Sequence, residues 1–232
     1  MQQTEEAEEE DQNMTTDEHE HGGHGHGGHG HSPRWQESAD PDPAVMWDQR
    51  FAEGEWSTEP DAELCALAGS IEPGTAIDLG GGNGRNAVWL AEQGWKVTCV
   101  DASSVGLDQA ARRAAANDSS LACEVADLRT WEPGGRRFDL VVLANIHMPA
   151  DQRDRLFTMA QDAVAPGGRL FVVGHRVDSF GTDGHPHPER LFTEELLSTL
   201  IDQLEIDELR TVEHQADHGH VGIDIVAWAH RA

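Results

Sequence analysis

Residues 75–86 read TAIDLGGGNGRN, and they run from a short apolar strand pattern through a set of glycines into a helical pattern. The helical stretch that follows is GRNAVWLAEQG, residues 84–94. Missing side chains at Gly80, Gly82 and Gly84 let the backbone turn tightly and approach a ligand closely. This order of strand, glycine loop and helix is typical of the first unit of a doubly wound α/β domain that binds a nucleoside-containing cofactor.

The rest of the chain, from about residue 44, alternates between strand and helix patterns. Strands are predicted at 75–81, 96–102, 121–128, 138–146, 169–175, 205–215 and 222–231, and helices at 84–94, 103–117, 149–168 and 193–204. Apolar strands that alternate with helices predict a mostly parallel sheet covered on both faces. The last two strands are joined by the short segment ADHGHV, which predicts a hairpin and therefore an antiparallel last strand.

Residues 1–43 differ in composition from residues 44–232, which we expect to form one domain. The first segment is rich in Glu, Gly and His and poor in apolar residues, so we expect a disordered acidic tail. Imidazoles on a glycine-rich chain can bind a divalent metal ion, since a mobile backbone lets several nitrogens converge. The candidate metal ligands in this tail are His19, His21, His24, His26, His29 and His31.

The formal net charge of the chain is −27 at pH 7, with Lys96 as its only lysine. A polyanion of this kind repels phosphate backbones, so no nucleic-acid partner is expected and a small-molecule substrate is favoured. The sequence contains no run of about 18 apolar residues and no cationic, apolar leader pattern. No membrane association is therefore expected, and a cytoplasmic location follows by default.

Three aspartates are predicted near the carboxyl ends of successive strands, where a doubly wound sheet binds its ligand. Asp78 lies under the glycine loop, where it would repel the pyrophosphate of a dinucleotide but suit the α-ammonium and sulfonium of S-adenosylmethionine (SAM). Asp101, 23 residues further on, is placed to accept from both ribose hydroxyls. Asp127 is placed to accept from an adenine amino group. SAM is therefore the expected cofactor.

The motifs DLGGGNGRNAVWLAEQGWKVTCVDAS, VADL, FDLVVLANIHM and VAPGGRLFVVGH resemble the class I SAM-dependent methyltransferases. Within that superfamily the chain is similar to the tellurite-resistance and thiopurine-methyltransferase-like branch, whose N-terminal cap the segment MWDQRFAEGEWSTEPDAEL (46–64) resembles. One departure is Gly81, where many relatives carry Cys or Ala. The resemblance implies a Rossmann-like sheet of seven strands in the order 3-2-1-4-5-7-6, with strand seven antiparallel.

The resemblance also implies a set of cofactor contacts, with Arg50 and Trp56 closing over the methionine end of SAM. The candidate cofactor-binding residues are Arg50, Trp56, Asp78, Gly80, Gly81, Gly82, Gly84, Asp101, Ala102, Asp127, Leu128 and Asn145. The expected activity is methyl transfer to a small-molecule acceptor, and the resemblance points to a thiol or chalcogen compound.

The stretch after the fourth strand, Asn-Ile-His-Met at 145–148, lacks the [DNS]-P-P-[FYW] element of methyltransferases that act on amino groups of nucleic acids. His147 and His175 follow the fourth and fifth strands, where either can act as a general base or contact the substrate. Asn145 is a candidate for positioning the substrate. These three residues are the candidate catalytic set, while a purely structural role for each histidine stays open.

Two other functions remain open at this stage. A nicotinamide-dependent oxidoreductase uses the same architecture, and Gly82, Gly84 and Ala87 also fit its G-x-G-x-x-A pattern. A metal-binding protein that acts through its His-rich tail is the second alternative. The first predicts binding of a nicotinamide dinucleotide, and the second predicts that loss of the tail abolishes function.

Overall fold

The computed structural model describes residues 42–179, 187–215 and 221–232. Residues 1–41 of the predicted tail, with the six candidate metal ligands, lie outside the described residues, so the tail stays a prediction, although its predicted last residue, Pro43, begins α1. The helices are α1 (Pro43–Glu53), α2 (Ala62–Ala68), α3 (Arg85–Glu92), α4 (Ser104–Ala116), α5 (Ala150–Asp162) and α6 (Glu194–Leu200), with a 3-10 turn at Pro188–Arg190. The strands are β1 (Thr75–Leu79), β2 (Lys96–Asp101), β3 (Leu121–Val125), β4 (Phe138–Ala144), β5 (Val164–His175), β6 (Glu205–Gln215) and β7 (Val221–His230).

The strands form one seven-stranded sheet in the order β3-β2-β1-β4-β5-β7-β6. Strands β1 to β5 pair in parallel, and β7 pairs antiparallel with both β5 and β6. This confirms the predicted α/β class, the strand order and the antiparallel last strand. Because β1 to β5 run in parallel, the residues that follow their carboxyl ends meet along one edge of the sheet.

The core consists of two apolar clusters, one on each face of the sheet, and consecutive residues of β1 belong to different clusters. Ile77 and Leu79 lie in one cluster and Ala76 lies in the other, as the two-residue period of a strand requires. Both faces of β1 are therefore covered, and Asp78 is buried between them with only 2% of its surface exposed. No helix among the described residues has the length and apolar character needed to cross a membrane.

The boundary between α5 and β5 is where the sequence prediction was wrong. The helix predicted to reach residue 168 ends at Asp162, and β5 already begins at Val164. Val164 pairs with Phe138, and the register then shifts between Phe138 and Leu140. A proline followed by glycines usually indicates a turn. Here the Pro-Gly-Gly segment lies within β5, at the irregularity between the pairs that β5 forms with Phe138 and Leu140.

The ends of two other strands, and the number of helices before β1, also differ from the prediction. Strands β3 and β4 stop at Val125 and Ala144, so Asp127 and Asn145 lie in the loops that follow. The N-terminal segment contains two helices that periodicity did not identify, each begun by an aspartate side chain that accepts from a backbone N–H. Short helices of this kind depend on their caps and on packing more than on a long apolar repeat.

Candidate active site

The glycine loop after β1 has the backbone conformation that its glycines permit. Gly80, Gly82 and Gly84 have φ values of 73°, 54° and 75°, which side chains rarely tolerate. A Cβ atom on Gly80 would lie 2.3 Å from Cδ1 of Ile146, and one on Gly82 would lie 2.6 Å from Cζ of Phe51. The loop therefore requires glycine for its turn, as the sequence predicted, and also for the close approach of Ile146 and Phe51, whereas its close approach to a ligand stays a prediction.

Asp78 lies beneath this loop and is the most unusual group of the site. Its Oδ2 atom is buried and has no hydrogen-bond partner within the described residues. Burial raises the pKa of Asp78 from 3.8 to about 7, and the positive charge of Arg85 only partly opposes this effect. A buried polar atom without a partner costs free energy, so this carboxylate is not explained by its contribution to stability, and its binding of a cationic group stays a prediction.

Asp101, at the end of β2, supports the loop from the side. Its Oδ2 accepts from the Gly82 N–H at 2.8 Å, and its Oδ1 accepts from the Ser103 N–H at 2.7 Å. Burial raises the pKa of Asp101, while these two hydrogen bonds act in the opposite direction. Each carboxylate oxygen has a second lone pair, so both can still accept from a ribose hydroxyl. Ala102, the next residue, is half-buried.

Asp127 has a neighbour that the sequence analysis did not identify. Nε of Arg129 donates to Oδ2 of Asp127 at 2.8 Å, and the guanidinium also forms an ion pair with this carboxylate. Burial acts to raise the pKa of Asp127, but the bonds from Arg129 outweigh it and the pKa is lowered. The predicted adenine contact therefore lies at a carboxylate that already binds a cation. Leu128 is buried and lies close to Gly80.

Helix α1 packs against the glycine loop and the start of α4 through the aspartate and the phenylalanine of its Trp-Asp-x-Arg-Phe motif. Oδ1 of Asp48 accepts from the Ser103 hydroxyl at 2.7 Å and from the Val105 N–H at 3.0 Å, at the start of α4. The hydrogen bond from Ser103 is the main reason that the pKa of Asp48 is lowered. Helix α1 is thus attached to α4, and Phe51 is held against Gly82.

The two cap residues predicted to close over the cofactor lie beside this contact. The Arg50 guanidinium lies 4.8 Å from the centre of the Trp47 ring, and burial lowers its pKa. Nε1 of Trp56 donates to the backbone carbonyl of Arg50 at 2.9 Å, and 43% of Trp56 is exposed. Both residues are therefore positioned next to the loop, but their contact with a cofactor stays a prediction.

Arg113 of α4 is a second loop-supporting residue that the sequence did not reveal. Its guanidinium donates to the carbonyl of Asn83 at 3.0 Å and to that of Gly84 at 3.2 Å. An arginine in the last turn of an amphipathic helix is usually a solvated surface residue, so only the three-dimensional contact identifies Arg113. The glycine loop is thus fixed by Asp101 from β2 and by Arg113 from α4.

Of the three candidate catalytic residues, the two histidines contact each other, while Asn145 follows the end of β4 two residues before His147. Asn145 has a positive φ of 58°, and its Oδ1 is buried without a hydrogen-bond partner among the described residues. The rings of His147 and His175 stack with centres 4.8 Å apart and an interplanar angle of 10°. Nδ1 of His175 lies 2.8 Å from Oδ1 of Asp224 on β7, an acidic partner that the sequence analysis missed. The described residues include no group of three or more side chains able to hold a metal ion.

Comparisons with known proteins agree with this geometry. The methyltransferase-domain family model matches residues 76–168, which include the glycine loop, Asp101 and Asp127. TehB from Haemophilus influenzae is similar in structure, with a TM-score of 0.64, 18% identity, and coverage of 80% of this chain and 67% of that chain. The N-methyltransferase NodS from Bradyrhizobium japonicum, solved with S-adenosyl-L-homocysteine (SAH), has a TM-score of 0.62, 16% identity, and coverage of 82% and 98%.

A curated relative is the ribosomal RNA small subunit methyltransferase C of Alcanivorax borkumensis, 34% identical over 110 residues. The aligned region covers 45% of this chain and 33% of that protein, so the chain spans about a third of the relative's length. The family match covers the candidate cofactor residues from Asp78 to Asn145 but not Arg50 and Trp56, and the sheet order is the one expected from the resemblance. Residues 76–168 therefore match a methyltransferase domain, and the fold around them is the one that the resemblance to the class I SAM-dependent methyltransferases implies.

Proposed function

We propose that the protein transfers the methyl group of SAM to a small-molecule acceptor, a thiol or chalcogen compound. The observation that carries the proposal is the Asp78 carboxylate, which is buried under the glycine loop with one oxygen unpartnered among the described residues. A ligand with a positive charge at this point satisfies the oxygen and stabilises the ionised carboxylate. A dinucleotide would instead bring a pyrophosphate to the same loop and would be repelled.

The residues of the crevice fit SAM in three places. In this proposal Asp78 binds the α-ammonium, Asp101 the ribose hydroxyls and Asp127 the adenine amino group. When bound, SAM supplies a methyl group that its sulfonium already activates. The protein then has to hold the acceptor in line with that methyl group and exclude water, and orientation of this kind contributes up to about 7–11 kcal/mol.

The acceptor is proposed to be small because the chain is strongly acidic. A net charge of −27 repels RNA, although a curated relative is named as a ribosomal RNA methyltransferase. The thiol or chalcogen class rests on the resemblance to the tellurite-resistance and thiopurine-methyltransferase-like branch. Binding of a divalent metal ion by the tail stays a separate prediction.

The test is a screen for methyl transfer from SAM labelled in its methyl group. We expect label in thiol or selenol acceptors, and no label in ribosomal RNA. The matched control is Asp78→Asn, which keeps the side-chain shape but removes the charge and should abolish transfer. Label in RNA but not in small molecules would overturn the proposed acceptor class, and binding of a nicotinamide dinucleotide in place of SAM would overturn the proposed cofactor.

A further inference from the structure

His175 and Asp224 form a partly buried acid–histidine pair that bridges two strands. They are direct register partners on β5 and β7, and Nδ1 of His175 is 2.8 Å from Oδ1 of Asp224. The carboxylate is largely buried, with 12% of its side chain exposed, whereas 32% of the His175 side chain is exposed. The acid is thus largely inside the protein, whereas about a third of the imidazole side chain is exposed.

The contact with Asp224 determines which ring nitrogen of His175 can take up a proton. A carboxylate can only accept, so the neutral imidazole donates its Nδ1–H to Asp224 and carries its lone pair on Nε2. Uptake of a proton at Nε2 produces an imidazolium whose positive charge the adjacent carboxylate stabilises. The pair therefore has the arrangement of a general base with an orienting acid.

His147 has a different part in this cluster. Its Nε2 accepts from the backbone N–H of His175 at 3.0 Å, which requires that nitrogen to be unprotonated. Its ring stacks on the ring of His175, and the ring of Phe192 packs against His147 with its centre 5.8 Å away. His147 therefore positions His175, and its own Nε2 is engaged with the backbone.

The cluster lies on the same edge of the sheet as the cofactor crevice. Strand β4 separates β5 from β1, so the end of β5 is two strand spacings, about 10 Å, from the end of β1. Ile146, next to His147, contacts the glycine loop at Gly80. An acceptor between His175 and the loop would thus face both the base and the methyl donor.

We propose that His175 is the general base of the methyl transfer, that Asp224 is its positioning residue, and that the acceptor is a thiol that arrives protonated. This inference rests on the proposed function. The S–H proton moves to Nε2 of His175 while a sulfur lone pair forms the bond to the methyl carbon. The electron pair of the broken C–S bond stays on the donor sulfur, so the products are the thioether, SAH and an imidazolium that later releases its proton to water.

The first test needs no turnover. Long-range ¹H–¹⁵N spectra of the full chain saturated with SAH should show His175 as the Nδ1–H tautomer with an unprotonated Nε2. In Asp224→Asn the amide can donate to Nδ1, so we expect the Nε2–H tautomer instead. An Nε2–H tautomer in the unaltered protein would overturn the inference, because the proposed base atom would already carry a proton.

The second test compares two thiols that differ in acidity. 2-Mercaptoethanol is neutral at pH 7, whereas 4-nitrothiophenol is ionised and needs no base. We expect His175→Gln to lower kcat for 2-mercaptoethanol by about 10²–10⁴-fold and to change kcat for 4-nitrothiophenol only a few-fold. Asp224→Asn should show the same selectivity, and both variants should bind SAH as the unaltered protein does.

The outcomes separate this inference from the proposed function. Equal losses on both thiols would overturn the role of His175 as a base, while SAH binding would still support the methyltransferase. Methylation of neither thiol by a protein that binds SAH would overturn the thiol acceptor. Failure of the unaltered protein to bind SAH would overturn the proposed function itself, and the inference would fall with it.

Discussion

Asp78→Asn should make the protein more stable at alkaline pH while it removes cofactor binding. The carboxylate is buried with one oxygen unpartnered among the described residues, and burial raises its pKa to about 7. An acid whose pKa is raised on folding binds its proton more tightly in the folded state. Its ionisation therefore costs nothing below pH 3.8, costs more as the pH rises to about 7, and reaches its full cost above that pH.

The magnitude follows from the two pKa values. A rise from 3.8 to about 7 corresponds to about 4 kcal/mol of unfavourable free energy at alkaline pH. The same relation gives about 2 kcal/mol at pH 5, so the effect of removing the charge differs by roughly 2–3 kcal/mol between pH 5 and pH 8. The new amide donors of Asn cost about 1–3 kcal/mol if they stay unpartnered, but this cost is the same at both pH values.

Urea unfolding of the unaltered protein and of Asp78→Asn at pH 5 and pH 8 measures this difference directly. We expect the variant to gain stability relative to the unaltered protein as the pH rises. In the unaltered protein, SAH affinity should fall up to about tenfold per pH unit below pH 7, because Asp78 must lose a proton to bind the ammonium. The reasoning is refuted if the stability difference between the two proteins is the same at both pH values.

Three further substitutions test how the loop is held. Asp101→Asn should weaken SAH binding at least tenfold, measured by calorimetry, because one acceptor is lost, whereas the exposed Asp108→Asn should have no effect. Gly81→Ala should lower the free energy of unfolding by about 1–3 kcal/mol, since its Cβ would lie 2.4 Å from Sγ of Cys99. Adding Cys99→Ala should restore much of that loss, and purely additive effects would contradict this explanation. Asp48→Ala should speed proteolysis within α1 by removing its bonds to the start of α4, and an unchanged cleavage rate would contradict that role.

The fold was largely predictable because its signals are local. Strand and helix periods, the glycine loop and the short final hairpin together indicate a doubly wound sheet, and the resemblance adds the strand order. The segment at 163–168 was not predictable, since Pro166 and the glycines after it are typical of a turn. Only the pairing of Val164 with Phe138 makes this segment part of β5.

Candidate site residues were predictable where they lie near the carboxyl end of a parallel strand, and not where they lie within a helix or on the antiparallel strand. Asp78 and Asp101 were found because they end β1 and β2. Arg113, in contrast, lies within a helix whose charged residues all resemble solvated ones, and Asp224 follows the start of a strand that returns antiparallel to the crevice. Gly81 was interpreted as a conservative departure, but Cys99 beneath it makes glycine the residue that fits.

The central claim is that the buried carboxylate under the glycine loop binds the cationic end of SAM. Titration calorimetry of the full chain with SAH and with NAD⁺, repeated on Asp78→Asn, tests it most directly. The account predicts that SAH binds, that NAD⁺ does not, and that the variant loses most of its SAH affinity. Binding of NAD⁺, or SAH affinity that is unchanged in the variant, would contradict it.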